Sequence, residues 1–290
     1  MKRSRPARDS APPEPEYTGH EWDGIREYNN PMPRWWLWTL YASIIWGIAY
    51  TIAYPAWPLL TRATQGVLDY SSRAELAKSI KEFEDRNSAL DLALLETDLT
   101  AVHLDADLLD YALRGGAAVY RAHCSQCHGA GASGTVGYPN LLDDDWLWGG
   151  SLDDIYYTVA HGIRSDADED TRFSQMPAYD GFLEPDQIDS VVHYVLALSG
   201  QEHNPELSES GAEIYAENCA VCHGETGLGN RDEGGPRLTD PIWLYGGSED
   251  AIRETIRYSR FSVMPNWRGR LSESHIRQVA IYVHQLGGGE

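Results

Sequence analysis

The chain has 290 residues, with 44 acidic against 23 basic side chains and a formal net charge of -21. Phosphate backbones are held through a basic footprint, so nucleic acid is excluded as a partner. The charge either steers in a protein with a basic face, less strongly as salt rises, or serves general solubility or a saline habitat.

In chain order, residues 1–34 are a polar N-terminal segment, whose first 17 residues, rich in arginine, proline and glutamate, read as a disordered tail. An uncharged stretch follows at 35–61. Its part from Trp35 to Trp57 would span about 34 Å as a helix, enough to cross a bilayer. Trp35, Trp36 and Trp38 at one end, with Tyr54 and Trp57 at the other, form the aromatic belts of two interfaces, and Pro55 and Pro58 close the helix. The stretch is too long, and too far from the N-terminus, for a cleaved signal peptide, so it reads as a retained anchor. Residues 62–110 alternate charged and apolar positions, as in Arg73 to Phe83, and read as an amphipathic connector. Gly115-Gly116 reads as a break before the helix that leads to Cys124.

All four cysteines lie in two Cys-x-x-Cys-His words, Cys124 to His128 and Cys219 to His223. This spacing suits covalent c-type haem: two thiols per haem for the vinyl groups, and the adjacent histidine, His128 or His223, as proximal iron ligand. A thioredoxin-like pair would follow a strand, whereas here a helix precedes and a glycine-rich loop, Gly129 to Gly137, follows. A four-cysteine zinc site would leave both histidines unexplained.

Around these words the chain repeats itself. Pro139, Leu141, Asp143, Trp146, Leu147, Gly149, Gly150, Ser151 and Asp153 recur, at the same spacing, as Pro236, Leu238, Asp240, Trp243, Leu244, Gly246, Gly247, Ser248 and Asp250. Ile188, Val191, Tyr194, Val195 and Leu198 match Ile276, Val279, Tyr282, Val283 and Leu286, an apolar stripe at helical spacing that ends each time near a glycine. Units this short bury little core of their own, so the haem would supply much of each apolar centre. The first repeat is longer between its Gly-Gly-Ser word and its Met-Pro word, and the extra residues fall around Ser165 to Thr171, an acidic run that reads as a solvated loop.

Only Met176 and Met264, of four methionines, lie in the repeated region, and both precede proline. Their matched places suit a distal loop that returns a thioether to each iron, and paired histidine and methionine ligands raise the potential and favour electron transfer over oxygen chemistry. The spacing allows either pairing, each methionine on its own repeat's haem or the two crossed. His161 is the chief rival ligand, and His123, beside Cys124, is a neighbour of the haem without an assigned role.

The words His20 to Ile25, Glu27 to Pro31, Pro33 to Trp36 and Tyr54 to Pro58 resemble those of one family, the membrane-anchored dihaem cytochrome c subunit (subunit III) of cbb3-type cytochrome c oxidases. The resemblance runs from about residue 18 to the end. It implies a mainly α protein: a single N-terminal transmembrane helix, then two tandem class I cytochrome c domains, placed by the repeats at 111–200 and 207–290. It implies two covalently bound haem c groups and the passage of electrons from a periplasmic cytochrome c toward the catalytic subunit, with catalytic and monohaem oxidase subunits as partners. The haem domains would be periplasmic at the bacterial inner membrane and residues 1–34 cytoplasmic. Oxygen would be reduced elsewhere, since a haem-copper site needs several histidines within membrane helices and the one span here has none. The alternatives are the anchored cytochrome subunit of a periplasmic dehydrogenase, or a dihaem peroxidase, which would need one iron with an open position.

Overall fold

The computed structural model describes residues 16–290, which divide into two units between Asp85 and Arg86. The tail expected over 1–17 lies, except for its last two residues, outside the described residues.

The first unit opens with an antiparallel hairpin, β1 (Tyr17–Trp22) and β2 (Ile25–Tyr28). Asp23 and Gly24 join the strands with φ of 52° and 83°. Two left-handed residues in a row give the turn whose twist matches a hairpin, and Asp-Gly is the pair that tolerates it. Helix α1 (Arg34–Ala53) has 20 residues, none buried, and is long and apolar enough to cross a membrane. It ends short of Trp57, because Tyr54 precedes a proline and is driven to an extended backbone, φ -115° and ψ 162°. Trp57 therefore sits in the turn that follows, where its carbonyl accepts from Thr64 N–H at 2.9 Å. The chain then folds back, so that Val67 and Leu68 N–H donate to Ile52 and Ala53 O, two helix-end carbonyls that lack intrahelical partners.

Helix α2 (Ser72–Glu96) carries the chain across the boundary between the units. Within the second unit its end, with a 3₁₀ turn at Leu99–Leu104, packs Leu94, Leu99 and Val102 against Leu108, Ala112 and Ile281. Asp91 accepts from Tyr111 Oη at 2.6 Å and from Ser274 Oγ at 2.5 Å. The end of the amphipathic connector is thus part of the folded body.

The remaining helices are α3 (Ala106–Val119), α4 (Ser125–His128), α5 (Leu152–His161), α6 (Pro185–Leu198), α7 (Pro205–Asn218), α8 (Ala220–His223), α9 (Glu249–Tyr258) and α10 (Glu273–His284). Asp105, Ser151, Asn204, Ser248 and Ser272 side chains cap α3, α5, α7, α9 and α10. The repeated serine of the Gly-Gly-Ser word is therefore an N-cap in both repeats.

The packing crosses between the repeats. Helix α3, which leads to the first cysteine pair, packs against α10, and one core joins Val119, Tyr120, Leu141, Ile155 and Val159 to Ile276, Val279, Ala280 and Val283. Helix α7, which leads to the second pair, packs against α6, and the other core joins Ile188, Val191, Val192 and Val195 to Tyr215, Leu238, Ile252 and Ile256. Each core thus takes its last helix from the opposite repeat. The segments 111–200 and 207–290 are repeats of sequence, and the cores are built across them.

Gly115-Gly116 is not a break: α3 runs through it. The glycines are there because the helices cross closely. A Cβ at Gly116 would lie 2.2 Å from the Gln278 carbonyl oxygen, and one at Gly211 in α7 would lie 2.1 Å from the Ser190 carbonyl oxygen. Gly116→Leu should therefore lower the thermal midpoint, through overpacking of about 1–3 kcal/mol or more. Gly131→Ala, where an added Cβ meets nothing within 4 Å, should leave the midpoint unchanged.

Candidate functional site

Each Cys-x-x-Cys-His word lies at the end of a long helix, α3 or α7, and closes on the short turn α4 or α8. Before the first word the helix widens into a π turn, Tyr120–Cys124, a feature found where helices meet functional sites. Tyr120 and Tyr215, each buried and four residues before a cysteine, donate from Oη to Gly129 O at 2.9 Å and Gly224 O at 2.8 Å. These bonds fix the chain where it leaves each word.

The histidines are oriented in the same way. His128 Nδ1 lies 3.1 Å from Pro139 O, and His223 Nδ1 lies 2.9 Å from Pro236 O. A carbonyl can only accept, so Nδ1 carries the proton and Nε2 keeps its lone pair, the form a metal-binding imidazole takes. Burial holds both rings below the usual histidine range, with the carbonyl opposing it, which favours the neutral ligand form. The proline that opens each repeated word is thus the acceptor that sets a histidine. Leu141 and Leu238 of the same words are buried, and Trp146 and Trp243 lie so close to Gly150 and Gly247 that a Cβ there would meet the indole at 2.4 Å.

None of the cysteines is paired in a disulfide. Burial pushes Cys124 and Cys219 up to about 11. That is the reverse of the lowered thiol of a redox pair.

The methionines lie in opposite cores. Met264 packs in the core that contains Cys124, and Met176 in the core that contains Cys219. Met264 N–H donates to Ile163 O at 3.0 Å and Ile163 N–H to Met264 O at 2.9 Å, so the second repeat's methionine is strapped to the end of α5. Trp267 and Arg268 N–H continue the strap onto Ala160 O. The first repeat's methionine is strapped to α9: Tyr179 N–H donates to Ile256 O, Asp180 N–H to Arg257 O, and Ser259 Oγ to Met176 O. Ring pairs cross in the same sense, Tyr120 with Tyr282 at 5.6 Å and Tyr215 with Tyr194 at 5.0 Å between centroids.

A cavity of about 470 Å³ brings Met176, Cys219, Cys222 and His223 together, walled by Val191, Val195, Leu238, Trp243, Ile252 and Ile256. An apolar chamber with a thioether, a neutral imidazole and two thiols fits a haem held by both cysteines. Tyr138 and Pro139, from the loop that sets His128, form part of its wall.

His161, the rival ligand, is buried beside the Tyr157 ring, with centroids 4.4 Å apart and its Nδ1 3.1 Å from Asp168 Oδ1, and it does not line the cavity that holds Cys219, Cys222 and His223. The acidic run is accordingly more than a solvated loop: Ser165 is buried, and its Oγ donates to Asn266 Oδ1 at 3.1 Å, two residues beyond Met264. The extra residues of the first repeat help to hold the other repeat's methionine strand. The His123 ring lies beside that of Trp267, tilted to it, with centroids 5.2 Å apart. His103, His203 and His284 bond to nearby backbone carbonyls. The buried tyrosines and the proline carbonyls were missed in the sequence, although both stand at matched places in the repeat.

Two tandem sites of this composition define a dihaem c-type cytochrome. The family described as cytochrome c oxidase, cbb3-type, subunit III matches residues 112–195 and 206–283, and the N-terminal domain of cytochrome oxidase cbb3, FixP, matches residues 14–61. The cbb3-type cytochrome c oxidase subunit CcoP of Cereibacter sphaeroides is 57% identical over 281 residues, which cover 96% of this chain and 97% of that one. The CcoP subunit of Rhodobacter capsulatus is 52% identical over 288 residues, and the FixP subunit of Rhizobium meliloti 45% identical over 275, with at least 95% of each chain covered. The chain belongs to the subunit III family of cbb3-type cytochrome c oxidases. It is an electron-transfer subunit carrying two covalently bound haem c groups, and a component of an oxidoreductase complex.

The bond from His161 holds the Asp168 carboxyl below its ordinary value. A carboxylate lowered on folding adds stability above its unfolded pKa and loses it as the pH falls through the folded one. Asp168→Ala should therefore lower the thermal midpoint at neutral pH, with the difference from the unsubstituted chain shrinking below the carboxylate range. Asp170→Ala, whose carboxyl stands 3.9 Å from the ring and mostly in solvent, should change the midpoint little.

Proposed function

We propose that the chain accepts electrons from a periplasmic cytochrome c and passes them through its two sites toward the catalytic subunit, without itself reducing oxygen. Cys124 and Cys127 would hold one haem, with His128 and Met264 as its iron ligands, and Cys219 and Cys222 would hold the other, with His223 and Met176. The observation that carries this reading is the crossed placement of the methionines: each thioether lies in the core of the opposite repeat's cysteine, and Met176 shares one cavity with Cys219, Cys222 and His223. Haem c, when bound, supplies a one-electron iron couple whose potential the axial ligands set. The chain's own part is to offer both cysteines, a neutral imidazole and a thioether, a set that would fill both iron positions and leave none for oxygen or peroxide. The wall that Tyr138 and Pro139 contribute to the second cavity supports a short route between the sites.

Helix α1 is the anchor, the haem-bearing body is periplasmic, and the catalytic and monohaem subunits of the oxidase are its neighbours. A single apolar helix with Trp35 and Trp38 exposed at one end and Tyr50 exposed near the other supports a span with interfacial aromatics. Deleting residues 1–61 should release a soluble fragment that still cycles between redox states. A fragment that stays on membranes would show a second attachment.

The ligand assignment is tested by Met264→Ala. Covalent attachment should survive, and one haem should lose potential and bind carbon monoxide. Nuclear Overhauser contacts from that haem should reach the Tyr120 and Tyr282 rings. Contacts to Tyr194 and Tyr215 instead would return Met264 to its own repeat. In the assembled oxidase, oxygen uptake driven by cytochrome c should slow, while an artificial donor that reaches the catalytic subunit directly should still support it.

A further inference from the structure

One cation stands between the two methionine strands. Arg164 follows the end of α5 and has a left-handed backbone, φ 55°, which a non-glycine residue keeps only where its surroundings over-determine it. Its guanidinium spans the repeats. Nε donates to Ser262 O at 2.8 Å and Nη1 donates to Ser174 O at 2.7 Å. Ser262 stands two residues before Met264, and Ser174 two residues before Met176. The two acceptors are therefore equivalent carbonyls of the two strands, and a single planar fork ties one to the other. The arrangement occurs once: aligned through the matched Gly162 and Ser259, both at positive φ, the place of Arg164 in the second repeat is taken by Phe261. That phenyl ring lies 5.9 Å from the Arg164 guanidinium carbon. Arg164 is half-buried, makes no ion pair with a carboxylate among the described residues, and lines the cavity that contains Met176, Cys219 and His223. Arg172, eight residues on, is by contrast paired with Asp154 at 2.9 Å.

We propose that Arg164 is a positioning residue shared by the two haem sites, fixing the Met176 and Met264 strands against each other so that thioether ligation at one iron is coupled to ligation at the other. The proposal rests on the crossed ligand assignment above. A guanidinium is suited to this task because its donors diverge in one rigid plane and its charge strengthens both bonds, whereas an ammonium is a single point on a flexible stem.

The test uses the full-length dihaem chain and reads the long-wavelength charge-transfer band of ferric thioether-ligated haem, the alkaline pH at which that band is lost, and both reduction potentials. The unsubstituted chain should show the band from two haems, and Met176→Ala and Met264→Ala should each remove half. Absence of the band from the unsubstituted chain would overturn the ligand assignment, and the proposal with it. Arg164→Gln should loosen both thioethers by about tenfold, the scale of one lost charged hydrogen bond, so that both lose the band at lower pH and both potentials fall. Arg164→Lys should restore one site at most. A band and potentials unchanged in Arg164→Gln, or a response at a single haem, would overturn the proposal while leaving the ligands as assigned. Should Arg164→Gln not fold, Met264→Ala alone decides: Met176 should then be displaced from its iron by about tenfold less imidazole, and an unchanged imidazole affinity would refute the coupling.

Discussion

Two helix crossings determine the rest of the haem-bearing body. Helices approach to backbone contact only where a side chain is missing, and here Gly116 meets the Gln278 carbonyl of α10, as Gly211 meets the Ser190 carbonyl of α6. Once α10 lies on α3 and α6 on α7, each tyrosine pair and each Met-Pro strand must follow, because the strand that precedes a final helix lies on the same core as that helix. The exchange of methionines is thus a consequence of which glycine each final helix covers. It requires no separate device at the ligands.

Within that frame the two sites use the same parts on one side and different parts on the other. The tyrosine, proline carbonyl, buried leucine and serine cap recur in both repeats. The methionine strands are held differently. Met264 is backed by the Ile163 ladder and the Ser165–Asn266 and His161–Asp168 bonds, and Met176 by Ser259 and the end of α9. Each methionine strand is thus held by residues of the opposite repeat.

What the sequence made legible was local. The Cys-x-x-Cys-His words, the duplicated Pro139 and Pro236 words, the apolar span and the Met-Pro pairs are all read over a few residues. The choice of partner helix was not legible, because Ile188, Val191 and Val195 present the same stripe as Ile276, Val279 and Val283, and either stripe could cover either core. Gly115-Gly116 was misread for a related reason: glycine weakens a helix locally, and only the neighbour across the crossing explains it. The acidic run reads as solvated because its charge masks two anchoring residues, Ser165 and Asp168. The hairpin at β1 and β2 has its own signal, Asp23-Gly24 between Trp22 and Ile25. The helix end at Ala53 follows from Pro55 by the rule on residues before proline.

Crossed cores also impose an order on biogenesis. A chain emerging from its N-terminus presents Cys124 and Cys127 long before α10, the helix that closes their core, has been synthesised. The second pair, by contrast, finds α6 and Met176 already synthesised and needs only the residues through α9. The site that is second in sequence is therefore the first able to close, and the earliest cysteines wait until nearly the whole chain has been made.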